Sequence, residues 1–285
     1  MMPMQHSVLG ASGTHRWFHC PGSVRLIEQA PPEPSSKYAA EGTVAHAVCE
    51  ACLKDRKSPE YYVGLWGNED GDRLYDSEAE ARADLTHSGG FVFEVTEDMV
   101  EAVKVYHKTI LQERRRIVDE TGKEPDILVE EQLSLEFIKP GMFGTNDASI
   151  HLKGEELIVV DYKHGQGVAV EVEDNPQLNY YALGALHQLY GDDFKGAPGT
   201  ITLIVVQPRA NHPSGPVRRW TTTTEYLTGD FANSLRNYAQ ATEDPDAPLK
   251  AGEWCRFCAA KPICPEIERV AQNELQDLKD AIDLA

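Results

Sequence analysis

The spacing of apolar residues changes period several times along the chain. SKYAAEGTVAHAVCEACLKD, from Ser36, places apolar residues at helical spacing and predicts a helix. The Pro-rich APPEPSS before it, Ala30 to Ser36, reads as a loop. Residues 57–95 hold no clear period and read as an insertion or a mobile loop. TEDMVEAVKVYHKTILQERRRIVDE then predicts a long helix with Thr96 as its N-cap. Beyond it the period shortens. DILVEEQLSL, GTNDASIHLKG and ELIVVDYKHG predict three successive strands, rich in β-branched residues and separated by Gly and Pro. NPQLNYYALGALHQLYG predicts a helix with Asn175 near its cap and Gly191 near its end. TITLIVVQPR predicts a strand apolar enough to lie inside a sheet. TEYLTGDFANSLRNYAQATED predicts a last helix. The order of elements predicts an α/β domain around a mixed sheet.

The 285 residues suffice for one large domain or two small ones. With no internal repeat and no low-complexity linker, residues 1–285 read as a single domain. No apolar run reaches the length of a membrane span, and MMPMQHSVLGASG lacks the pattern of a secretory signal. The expected location is cytoplasmic, where six cysteines read as thiols or metal ligands rather than disulfides. A net charge of −19 argues against a general nucleic-acid binder. The acid gathers in Glu69 to Asp84 and in the tail over residues 266–285, which read as a solvated loop and a polar helix face. KVYHKTILQERRR and VRRW are local basic patches, so a positive groove on an acidic protein stays open.

Candidate chemistry enters on the strands. GTNDASI places Asp147 on the second of them, and IVVDYK ends the third with Asp161 and Lys163. Residues two apart on a strand share a face, so this carboxylate and this ammonium project together. A hairpin between the strands can set Asp147 beside Asp161. Converging carboxylates suit a hard divalent cation such as Mg²⁺ or Mn²⁺, and a lysine beside them suits negative charge developing on a phosphate. The same spacing also fits an exposed hairpin with a salt-bridged Asp–Lys pair. EGTVAH on the first long helix adds His46 as a further candidate ligand, with Glu41 either a ligand or a support for His46. Gln177 and Tyr181 lie one helical turn apart, on one face. Near the C-terminus, WCRFCAAKPICP sets Cys255, Cys258 and Cys264 within ten residues. Cys49 and Cys52 form another C-x2-C but lie on the first long helix, and read as packing residues.

A helical His followed by G-T-x-D, D-Y-K and Q-x-x-x-Y, over residues 41–181, resembles the RecB-like branch of the PD-(D/E)XK nucleases. The start, GASGTHRWFHCPGSVRL…YAAEGTVAH, also resembles a phage- and prophage-associated family assigned to that superfamily. The resemblance implies a restriction-endonuclease-like α/β core with a mixed central sheet flanked by helices. It implies that His46, Asp147, Asp161 and the backbone carbonyl of Tyr162 hold the metal, that Lys163 acts in catalysis, and that Gln177 and Tyr181 contact DNA.

Several RecB-like nucleases, AddB-type subunits and those of CRISPR adaptation among them, hold a [4Fe–4S] cluster on one upstream and three downstream cysteines. Carried over, the ligands are Cys20, in FHCPGS, with Cys255, Cys258 and Cys264. The cluster joins segment 1–40 to segment 250–265. Four thiolates suit zinc as well as an iron–sulfur cluster, and the resemblance points to the latter. The function it implies is a metal-dependent deoxyribonuclease, expected to be an exonuclease on DNA ends or single strands in phage replication or recombination. A recombination protein is an expected partner, and self-association is left open. The alternatives are a DNA-binding or assembly module on the same fold, and a zinc-stapled adaptor.

Overall fold

The computed structural model describes residues 7–31, 36–71, 73–87 and 89–283. Most of the loop expected at Ala30 to Ser36 lies outside them. Two short helices come first, α1 (Thr14–His19) and α2 (Gly22–Glu28). Helix α3 (Lys37–Lys54) begins at Ser36, whose hydroxyl accepts from the Ala39 N–H. Residues 57–95 carry secondary structure of their own. Strands β1 (Trp66–Asn68), β2 (Leu74–Tyr75) and β3 (Val92–Glu94) form an antiparallel sheet of order β2-β1-β3, with α4 (Glu78–Ala83) beside it. Strands of two or three residues are too short for an alternation to show. The small sheet lies on α3. Gly67 of β1 faces Val44 so closely that a Cβ there would sit 2.7 Å from Val44 Cγ1.

Helix α5 (Glu97–Thr121) starts at Thr96, whose Oγ1 accepts from the Met99 N–H at 3.3 Å. The main sheet follows, with β4 (Asp126–Ser134), β5 (Phe143–Leu152) and β6 (Glu156–Tyr162) as an antiparallel meander. Helix α6 (Pro176–Tyr190) then carries the chain across to β7 (Thr200–Val206), parallel to β6. Asn175 caps α6, its side chain accepting from the Gln177 and Leu178 N–H groups. Strand β8 (Val217–Thr223) closes the order β4-β5-β6-β7-β8 and was not foreseen. Its buried positions include Arg218 and Thr222, so no apolar alternation marks it. Helix α7 (Thr224–Tyr226), a π-helical turn (Leu227–Phe231) and α8 (Ala232–Ala241) run on without a break, and α9 (Pro265–Asp283) ends the described chain.

Both faces of the main sheet are covered. One core joins Trp17 of α1, Val159, Leu183 of α6, Leu203 and Leu235 of α8. The other joins Val48 of α3, Val103 and Ile110 of α5, Ile150, Val160 and Ile204. This is the mixed α/β architecture that the sequence implied, a mixed central sheet flanked by helices. Cys49 and Cys52 belong to the second core, where burial pushes both thiols up, Cys52 to about 12. They are packing residues. Among the described residues no helix is long and apolar enough to cross a membrane.

Helix α6 meets the sheet through Gly184. A Cβ there would lie 2.8 Å from Leu135 Cδ1 and 2.9 Å from Leu133 Cβ. Gly184→Ala is therefore expected to destabilise the fold by about 1–3 kcal/mol through overpacking. The urea midpoint should fall, and an unchanged midpoint would show slack between α6 and β4.

Candidate active site

The β5–β6 ladder is paired as far as Ala148 opposite Val160. One residue further on each strand stand Asp147 and Asp161, the carboxylates picked out from the sequence. Asp147 Oδ2 accepts from the Tyr162 N–H at 2.6 Å, and its Oδ1 lies 3.3 Å from His46 Nδ1. Helix α3 delivers His46 to this point, with its ring edge-on to Tyr162 at 5.4 Å. A third group, missed in the sequence, completes the set. His46, Glu130 and Asp147 each offer a ligand atom within 4.8 Å of the others.

Glu130 reaches this place through an unusual backbone. Val129 pairs with Ala148 and Glu131 with Asn146, but Glu130 between them has φ 53°. Left-handed backbone at a non-glycine residue costs of order 1–3 kcal/mol and tends to gather at functional sites.

The charges are strongly coupled. Burial pushes the Glu130 carboxyl up to about 8, and the Asp147 charge adds to this. Burial also presses the His46 imidazole down, but Asp147 outweighs it and carries His46 to about 8. Asp147 stays below the usual carboxylate range despite burial, because His46 and Lys163 face it. At neutral pH the site thus holds protons on groups whose atoms converge. A divalent cation would replace them, and two carboxylates with an imidazole are a donor set that Mn²⁺ or Mg²⁺ accepts.

Asp161 is 3% exposed and belongs to a neighbouring network. Lys163 Nζ donates to its carboxylate at 3.1 Å, as the two-residue spacing required. Gln177 on α6 links the rest. Its Nε2 donates to Asp161 Oδ1 and to the Tyr181 hydroxyl, each at 3.1 Å, and its Oε1 accepts from Lys163 Nζ at 3.2 Å. Burial lifts Asp161 to about 6, against the pull of Lys163 and with a further push from Asp147. Lys163 remains a cation, raised by both carboxylates against burial. Tyr181 is buried, with its hydroxyl on Gln177.

Glu41 does not support His46. Five residues apart on a helix, the two side chains point about 140° from each other. Glu41 Oε1 instead accepts from Arg209 Nη1 at 2.7 Å and lies 3.4 Å from His164 Nε2. Burial, then the charge of Arg209, holds His164 down at about 4, so its ring is neutral. Nδ1 donates to the Tyr162 hydroxyl at 2.8 Å, which leaves Nε2 to accept from Arg209. This chain ties α3 to the loops after β6 and β7.

The cysteines lie beside α1 and α2. Cys20, Cys255, Cys258 and Cys264 line one pocket. Cys20 Sγ accepts from the Lys250 N–H at 3.3 Å, and the Gly22 N–H donates to the Pro248 carbonyl at 3.2 Å. The first and last segments of the fold therefore touch at the pocket that the four cysteines line. Four thiols around one pocket, one already taking a backbone N–H bond, fit a thiolate-bound metal or cluster.

Most cations of the two basic patches are paired with carboxylates. Arg114 pairs with Glu124, Arg115 with Asp119, and Arg116 with Glu113, Glu120 and Glu156. Arg219 pairs with Glu113 and Arg218 is buried against Gln207 and the Val170 carbonyl.

Residues 6–285 match the model of a family described as Protein of unknown function (DUF2800). Among solved structures, an alkaline exonuclease (LHK-Exo) from Laribacter hongkongensis aligns at 10% identity and a TM-score of 0.27, over 48% of this chain and 66% of that one. The chain thus spans just under two thirds of that exonuclease. SSO0001 aligns at 12% identity and a TM-score of 0.27, over 60% and 76% of the two chains. The complex of LHK-Exo with dAMP aligns at 10% and 0.24, over 72% and 91%. Scores this low carry no argument about chemistry.

Proposed function

The chain belongs to the DUF2800 family, and from the geometry of its site we propose that it is a divalent-metal-dependent nuclease that hydrolyses phosphodiester bonds in DNA. The observation that carries this reading is the convergence of His46, Glu130 and Asp147 within 4.8 Å, beside the Asp161–Lys163 pair on the adjoining strand. Ligands for a hard cation and a fixed ammonium are the parts that phosphodiester hydrolysis needs.

His46, Glu130 and Asp147 would hold Mn²⁺ or Mg²⁺, with Asp161 and the Tyr162 carbonyl on the adjoining strand. Bound there, the cation supplies Lewis acidity toward the phosphate and a water of lowered pKa. Lys163 orients the attacking water or stabilises charge on the phosphate. Gln177 holds Lys163 and Asp161 in register. Its partner Tyr181 is turned inward, so the pair acts on the substrate by positioning these two groups. The four cysteines would hold a [4Fe–4S] cluster, or Zn²⁺, as a structural staple. The finer reading is an exonuclease acting inside the cell on ends or single strands during phage replication or recombination. The net charge of −19 and the internally paired basic patches favour a protein partner that supplies part of the DNA affinity.

The test is Mn²⁺-dependent cleavage of end-labelled linear DNA, with Mn²⁺ binding measured beside it. Wild type should bind Mn²⁺ and cut. Glu130→Gln should weaken Mn²⁺ by more than the about 10- to 100-fold that losing an outer partner of a ligand costs, since Glu130 is placed as a ligand, with cleavage recovering at high Mn²⁺. A wild type that binds Mn²⁺ but leaves DNA intact, alone and with a recombination partner, would refute the nuclease reading.

A further inference from the structure

Many of the lysines and arginines on this acidic surface are paired with carboxylates, among them Lys54 with Glu50, Lys104 with Glu60 and Glu101, Lys123 with Glu155, and Lys139 with Glu243. The cysteine pocket gathers four cations without such partners. Among the described residues, Arg16, Lys250, Arg256 and Lys261 all lie at or beside it, and none of the four pairs with a carboxylate. Arg16 is half-buried and faces sulfur, since Cys258 and Cys20 both support its charge against burial. Lys250, Arg256 and Lys261 are exposed.

Aromatic rings are interleaved with these cations. Phe257, in the tight C-R-F-C turn, is 84% exposed. The Arg256 guanidinium lies 5.6 Å from its ring centroid. On the same module Trp254 stacks on the exposed His19, with centroids 4.5 Å apart and planes 12° apart. A lone exposed phenylalanine means little. Beside four cations with no carboxylate partner and a second stacked aromatic, it has the composition of a single-strand nucleic-acid platform, in which cations track phosphates and rings stack on bases. A duplex keeps its bases stacked inside and cannot use such a ring.

The position relative to the active site is also informative. Arg256 Nη2 lies 3.8 Å from where a Cβ on Gly167 would stand, and Gly167 is four residues beyond Lys163. The loop leaving the β6 end of the site therefore touches the cysteine module at Arg256.

We propose that Phe257, Arg256 and the Trp254–His19 stack form a binding platform for single-stranded DNA beside the active site. This deepens the nuclease reading and rests on it for the path of the strand. The cysteine staple would then do two tasks: it joins the ends of the fold and presents the aromatic turn between two of its own ligands.

The full chain, as purified with its cysteine site loaded, is titrated against a fluorescein-labelled oligothymidylate without divalent metal, by anisotropy. Phe257→Ala should weaken binding roughly tenfold or more, and Phe257→Trp should restore it while Phe257→Leu does not. Arg256→Gln should lower the slope of log affinity against log salt by roughly 0.7, the share of one phosphate contact on a single strand. Binding of the same label on a duplex should be indifferent to Phe257. Wild-type affinity in Phe257→Ala, or equal rescue by Leu and Trp, overturns the platform. Cleavage with Mn²⁺ is recorded in parallel. Strand binding that depends on Phe257 without any cleavage sinks the nuclease reading and leaves the platform standing. Cleavage with binding indifferent to Phe257 sinks the platform alone.

Discussion

Asp161→Asn should lose cleavage by about a thousandfold or more while the metal-free protein melts no lower than wild type. The substitution keeps the shape and the acceptor at Oδ1, and gives up the approach of Lys163 Nζ to Oδ2 at 3.1 Å. An amide oxygen at Oδ1 can still accept from Lys163 Nζ and Gln177 Nε2, the two donors that meet there. What disappears is one negative charge at a site 3% exposed, where charges act at low dielectric. Removing one preorganised electrostatic contact from an active site costs about 10²–10³ in rate, and here the charge both faces the proposed cation and orients Lys163. A factor of a thousand is about 4 kcal/mol of transition-state stabilisation. The fold gains from the same change. Asp161 is lifted to about 6 by burial and by Asp147, so its ionised form is strained in the absence of metal. Steady-state cleavage with Mn²⁺ and a thermal melt in chelator check the two halves. An active variant would remove Asp161 from the site, and a collapsed one would make it structural.

Cys20→Ser should release the bound iron or zinc and lower stability by about 5 kcal/mol. The clip closes a loop of more than 230 residues between Cys20 and Cys255, and loop-closure entropy for chains of this length is about 5 kcal/mol in the chain-entropy picture. Strain and structure in the unfolded chain reduce the observed value. Cys20 is nonetheless the single contribution of the first segment to the four sulfurs, so its loss frees the two ends from each other. Metal analysis and the visible spectrum identify the occupant, since an iron–sulfur protein is brown and a zinc protein colourless. Cys49→Ser is the control, because that thiol lies in the core of α3 and should leave the metal content unchanged. Full metal content and an unchanged melt in Cys20→Ser would exclude the staple.

The parts legible in the sequence were those whose spacing is itself the geometry. Asp161 and Lys163 share a face because strands alternate, and Gln177 and Tyr181 meet because helices repeat every four residues. Cys20 was joined to the distant cysteines by resemblance, and the fold places all four at one pocket. Glu130 was hidden because it is one of two consecutive glutamates in a strand, and only the left-handed backbone at that residue tells it from Glu131. Arg209 was hidden because its partners come from α3 and from the loop after β6, far away in sequence. Strand β8 was hidden because its buried face carries an arginine held by hydrogen bonds rather than an apolar side chain.

The contact between Gly67 and Val44 bears on the metal site from a distance. Val44 and His46 are two residues apart on α3, so they leave the helix axis about 160° apart. The small sheet grips one side of this axle and Asp147 meets the other. A roll of the helix by a few tens of degrees would swing the imidazole out of reach of its carboxylate and break the close fit of Val44 on Gly67. The small sheet over residues 57–95 thus works as a bearing that sets the angle at which His46 is offered.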